Sequence, residues 1–185
     1  MPLEFNEITN PKELYNFIKN NIQYGIKNNN VIYQNDDINN NLDKWHLNTN
    51  LDLLDNKYGL CFDYVELERT WFLNNNYEYK TIFLIFALDY ENNYSTHTTL
   101  LFKQNNKWYN FEIANYYNQG IHEYNSYEEA LTDIKNNHLK YNEMIGNPIN
   151  KDITDTLKVF EYSNPNKNYN FNDYLEYIIN NGKEI

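Results

Sequence analysis

The 185-residue chain reads as an α+β domain in which a buried central helix packs on an antiparallel sheet. Three observations predict this. Residues 61–73 are apolar on nearly every side, which marks a buried helix. Three β-like runs, 80–90, 96–103 and 107–114, are joined by short polar turns at 91–93 and 104–106, and runs joined this way form hairpins. Helical patterns flank this set on both sides, and no repeat or linker divides residues 1–185, so one domain is expected.

Taken in order, Asn10-Pro11-Lys12-Glu13 supplies an N-cap Asn, a Pro at the first helical position and a Glu at N3. Leu14, Phe17, Ile18 and Ile22 continue at helical spacing, and Gly25 is the expected stop. Residues 27–49 read as a long irregular connection with one apolar piece, Val31-Ile32-Tyr33. Leu51, Leu53 and Leu54 suggest a short helix ended by Gly59, and the central helix starts at Cys61. After the three β runs, Ser126 and Glu129 form a capping box before Ala130, Leu131, Ile134 and Leu139. One more strand is expected over 156–162 and a last helix over 171–179, before Gly182.

Composition narrows the function. Leu, Ile, Val and Phe number 48, above the level at which disorder becomes the default, so the chain folds. Asn occurs 38 times, Ala three times and Arg once, a bias in keeping with AT-rich codons, so the Asn runs read as loop filler. A net charge of −11 without a Lys/Arg cluster argues against nucleic acid. One Cys excludes an intramolecular disulfide, and neither a membrane span nor a leader is visible, so a soluble, cytoplasmic protein is expected. His46 and His138 lack metal-site spacing, and neither metal nor cofactor is expected. His122 reads as a structural turn residue, Arg69 as the partner of Glu66 and Glu68, and the many Tyr as packing residues.

Three scarcer residues fall where chemistry wants them. Cys61 opens the buried helix, where free backbone N–H groups and the helix dipole favour a thiolate. His97 lies in the second β run and Glu112 in the third, so hairpin pairing can bring them together. Gly59-Leu60-Cys61-Phe62-Asp63-Tyr64, then Thr96-His97-Thr98-Thr99, then Trp108-Tyr109-Asn110-Phe111-Glu112 resemble the ordered motifs of the transglutaminase-like branch of the papain-like cysteine enzymes. The resemblance covers residues 59–114. It departs from the family at Glu112, where Asp is usual, so either Glu112 orients His97 or Asn115 does, as Asn does in papain relatives.

The resemblance implies a papain/transglutaminase-like core and a Cys-His-Glu triad that transfers acyl groups at amide or peptide bonds of a protein or peptide substrate. Cys61 attacks the carbonyl, His97 takes and returns the proton, and Glu112 holds the imidazole. The Cys61 N–H is the first oxyanion donor, with Trp45 through its indole N–H, or Gln34, as the second. Water or an amine then resolves the thioester. Two other readings stay open: an inactive relative binding protein or glycan, and an acetyltransferase-like acyl carrier. The sequence leaves the oligomeric state open.

Overall fold

A computed structural model describes residues 3–88, 93–147, 149–165 and 168–185. After a one-turn helix α1 (Leu3–Asn6), helix α2 (Pro11–Asn21) begins as the sequence predicts. Asn10 Oδ1 accepts the Glu13 N–H at 3.0 Å, and Pro11 occupies the first turn. Leu14 and Ile18 bury its apolar stripe. The helix stops at Asn21, short of Gly25, because the chain turns into strand β1 (Gln23–Tyr24), which pairs in parallel with Tyr58 and Gly59.

The stretch expected to be irregular is more ordered. Strands β2 (Ile26–Asn28) and β3 (Val31–Tyr33) form a hairpin whose turn places Asn29 at φ 54°, a conformation Asn tolerates. Two 3-10 segments lead to α3 (Asn50–Asn56), which is ended by Lys57 at φ 61° rather than by Gly59. Gly59 instead lies in β4 (Tyr58–Gly59), directly ahead of the central helix α4 (Cys61–Asn74). That helix buries polar residues as well as apolar ones: Asp63, Glu66, Glu68 and Arg69 are all buried.

A separate main sheet begins with β5 (Glu78–Ala87), β6 (Tyr94–Gln104), β7 (Lys107–Glu112) and β8 (Gly120–Tyr124). Asp89, Tyr90 and the turn residues 91 and 92 lie outside the described residues. The β6–β7 turn is a two-residue loop of Asn105 and Asn106, both at positive φ, as tight hairpins require. Helices α5 (Tyr127–Met144) and α6 (Lys151–Thr154), strand β9 (Lys158–Tyr162), helix α7 (Phe171–Asn181) and strand β10 (Lys183–Glu184) complete the described elements. The main sheet is antiparallel in the order β10-β9-β5-β6-β7-β8.

Alternation along the central strands builds three layers. Leu100 and Phe102 of β6 and Phe111 of β7 pack with Leu67, Trp71 and Phe72 of α4. Phe83 and Phe160 join Phe62 and Val65 of α4 and Tyr174 and Ile178 of α7. The residues between them, Ile82, Leu84 and Leu101, face the other way and pack against Ala130 and Ile134 of α5. The sheet thus carries α4 on one face and α5 on the other, an α+β arrangement as predicted. Two of its strands, β8 and β10, were not anticipated.

Candidate active site

Cys61 is the first residue of α4, so its N–H has no acceptor within the helix. The N-cap, Leu60, has no side-chain oxygen, and only the return half of a capping box forms: Asp63 Oδ2 accepts the Leu60 N–H at 2.8 Å. The approach is too tight for any residue but Gly at 59. A Cβ there would sit 2.6 Å from Leu53 Cδ1 and 2.9 Å from Asp63 Cβ. These contacts fix where the thiol emerges, and Cys61 is 3% exposed.

His97 and Glu112 come together because of strand register. The β6–β7 ladder runs to Leu100↔Phe111, and one step further sets Glu112 across from Thr99, two residues from His97. Such diagonal neighbours sit about 7–8 Å apart, within reach of long side chains. The extra methylene of Glu over Asp closes this gap: Glu112 Oε2 accepts from His97 Nε2 at 2.8 Å in a buried pair. Its other oxygen, Oε1, accepts the Asn115 N–H at 2.8 Å. With Nε2 engaged, Nδ1 is the nitrogen left for sulfur.

Burial of the imidazole opposes its protonation. The Glu112 carboxylate and the neighbouring Cys61 thiol outweigh this and push the His97 pKa from 6.5 up to about 10. The His138 ring stacks on His97 with centroids 5.5 Å apart and an interplanar angle of 22°. Burial, then repulsion by His97, hold the His138 pKa well below its usual value, so His138 is neutral. Glu68, 1% exposed, has no hydrogen-bond partner on Oε2 among the described residues. Burial and the nearby Glu112 carboxylate raise its pKa well above the usual value, so it is held protonated.

The structure thus brings Cys61, His97 and Glu112 into one place and gives the other candidates different work. Trp45 is corrected: its indole N–H donates to Asp63 Oδ2 at 2.8 Å and is not available to an oxyanion. Asp63 also accepts from the Asn48 N–H at 2.9 Å and from Asn48 Nδ2 at 3.0 Å, tying residues 45–48 to the start of α4. Gln34 is corrected too, since its Nε2 points at Tyr24 O (3.3 Å) and Gln23 Oε1 (3.4 Å). Asn115 reaches Glu112 through its backbone, while its side-chain oxygen caps the Tyr117 N–H at 3.2 Å. His122 lies in β8 rather than a turn, with Nε2 2.8 Å from Asn118 O. Arg69 pairs with Glu66 at 3.3 Å and lies over the Tyr162 ring at 5.0 Å, whereas Glu68 lies on the side of Cys61, His97 and Glu112.

Three residues near the site were missed. His138 stands on the stripe of Ala130 and Ile134 at four-residue intervals, so a polar residue in an apolar stripe was the readable signal. Glu68 follows Cys61 by seven residues, two turns along one face. Tyr24 reaches Cys61 through the β1–β4 pairing, which has no sequence period.

Compared with known protein families, residues 4–145 match the transglutaminase-like domain. The chain belongs to the transglutaminase-like family. The match extends well beyond the 59–114 region of the motifs, to the end of α5 and so to the helix carrying His138. Comparison of this transglutaminase-like chain with curated proteins finds no match. Among the described residues no helix is long and apolar enough to cross a membrane.

Proposed function

We propose that this transglutaminase-like chain is a cysteine-dependent acyl-transfer enzyme that acts on amide or peptide bonds of a protein or peptide, hydrolysing them or passing the acyl group to an amine. The observation that supports this most is the buried His97–Glu112 pair beside a thiol at a helix N-terminus. A histidine whose pKa is raised to about 10 is protonated at neutral pH, so it serves as counter-ion to a Cys61 thiolate.

In this mechanism the thiolate attacks the carbonyl carbon and the carbonyl π pair moves to oxygen. The Cys61 N–H and the helix dipole stabilise that oxyanion. His97 gives its proton to the departing amine, and Glu112 keeps the imidazole turned to the sulfur. The thioester on Cys61 is then attacked by water or an amine that His97 deprotonates.

The test is alkylation by iodoacetamide at pH 6. An ordinary thiol of pKa about 8.5 is only about 0.3% thiolate there. Cys61 is expected to react about tenfold faster than a free thiol, the gain in thiolate exceeding the loss in intrinsic nucleophilicity. The His97→Ala variant should return it to the free-thiol rate. A wild-type rate no faster than a free thiol refutes the enzyme reading and leaves an inactive, protein- or glycan-binding relative.

A further inference from the structure

We propose that the Tyr24 hydroxyl is the second oxyanion donor of this site, an assignment that rests on the acyl-transfer reading above. Both donors expected from sequence are spoken for: the Trp45 N–H by Asp63 and the Gln34 amide by Tyr24 O and Gln23 Oε1. Tyr24 is held next to the nucleophile by backbone. It pairs with Gly59 two residues ahead of Cys61, with the Gln23 N–H on Lys57 O at 2.8 Å and the Gly25 N–H on Gly59 O at 3.1 Å. Gln34 braces it from the other side, its amide on Tyr24 O.

The Tyr24 ring meets that of Tyr64, less than one turn along α4 from Cys61, with centroids 6.1 Å apart. Its hydroxyl end lies within electrostatic range of the Cys61 thiol. Tyr24 is 41% exposed as a whole, but loss of solvent around its hydroxyl, then the Cys61 charge, raise the phenol pKa well above the usual 10, so the group keeps its proton and acts only as a donor or acceptor of hydrogen bonds. A donor fixed by two strands before the reaction needs no reorganisation when charge develops.

The step balances without a co-reactant. Cys61 Sγ forms a bond to the carbonyl carbon, and the C=O π pair becomes the oxyanion, held by the Cys61 N–H and the Tyr24 O–H. On collapse the leaving group departs with its bonding pair, leaving a thioester. With p-nitrophenyl acetate as the probe, the leaving group is p-nitrophenolate and one acetyl group stays on Cys61.

The experiment compares two reactions of the full chain, wild type against Tyr24→Phe: burst acylation by p-nitrophenyl acetate and alkylation by iodoacetamide. Acylation passes through an oxyanion, whereas alkylation displaces iodide at a saturated carbon and does not. Loss of the hydroxyl is expected to slow acylation about 100-fold and to leave alkylation within about twofold. Tyr64→Phe, which removes a neighbouring hydroxyl directed at Ile22 O, is expected to change neither rate. Acylation unchanged in Tyr24→Phe overturns the proposal, and so does any change that the two reactions share, since the hydroxyl would then be acting on the thiol itself. Slow alkylation of the wild type at pH 6 would instead overturn the acyl-transfer reading beneath it.

Discussion

Replacing Glu112 by Gln keeps the side chain's length and an acceptor oxygen for His97 Nε2, but removes the charge. At about 4 Å and an effective dielectric constant of about 20, that charge is worth about 4 kcal/mol, or about 3 pKa units. This is most of the rise from 6.5 to about 10 at His97, and burial is left pulling the other way. In Glu112→Gln the imidazole should therefore titrate near about 7 and be about half neutral at pH 7. Imidazole NMR should report the titration moved from about 10 to near about 7. Glu112→Asp keeps the charge but retracts the carboxylate by about 1.5 Å, opening the 2.8 Å contact to about 4 Å, past hydrogen-bond range. Its imidazole should titrate between the two. Asn115→Ala keeps the backbone N–H on Glu112 and should match wild type. Stability carries the same signature. Because the His97 pKa is raised on folding, its contribution is full below pH 6.5 and is lost as pH climbs through about 10, a slope that Glu112→Gln flattens. A wild-type imidazole titration in Glu112→Gln, or an equal fall in Asn115→Ala, refutes the assignment of the acid.

Three further outcomes can be measured by urea unfolding. Asp63→Ala strands the N–H groups of Trp45, Asn48 and Leu60, and at about 1–3 kcal/mol per orphaned buried donor the loss should reach at least about 3 kcal/mol; a loss below about 1 kcal/mol refutes it. The folded-state pKa of Glu68 is raised, so the wild type loses stability as pH rises above 4.5; Glu68→Gln should gain on it progressively with pH, and parallel profiles would count against a protonated Glu68. The His138 pKa is depressed, so its contribution is full above 6.5 and is lost as pH falls; His138→Phe should gain on wild type below pH 6.5, and equal acid limbs would show that His138 is not held neutral.

What the sequence disclosed follows from which signals are local. Asn10 and Ser126 announce their helices because a cap is a contact over three residues, and both accept the expected N–H. The β6–β7 hairpin was legible because alternation and its two-residue turn lie in one continuous stretch. Strand β8 was not, since it starts at Gly120 and none of its first three residues is buried, so no alternation marks it. The β1–β4 pair joins two-residue segments more than thirty positions apart, and that is the pairing that delivers Tyr24 to the site. Trp45 was misassigned for a related reason: the identity of Leu60 as a cap without an oxygen is what makes Asp63 the acceptor for a distant indole. Cys61, His97 and Glu112 were readable by identity and order, but the diagonal offset that gives Glu its advantage over Asp is a property of register.

Helix α4 shows how far residue identity falls short of address. All six of its ionisable residues are buried, and at about 100° per residue they point in different directions. Glu68 falls within about 20° of Cys61 around the axis, Asp63 lies on nearly the opposite side, and Glu66 and Arg69 are about 60° apart on a third. Arg69 and Glu68 are sequence neighbours, and adjacent helical residues do not face each other, whereas Glu66 at i,i+3 does meet Arg69. The chain's lone arginine is thereby committed to Glu66, Thr81 and the Tyr162 ring, on the side of α4 away from the thiol. Glu68, held neutral, adds no negative charge beside Cys61. The electrostatic state of the thiol then depends on His97, and the charge of His97 depends on Glu112. On the acyl-transfer reading, a single-atom change at the Glu112 carboxylate therefore acts on a thiol that it does not touch.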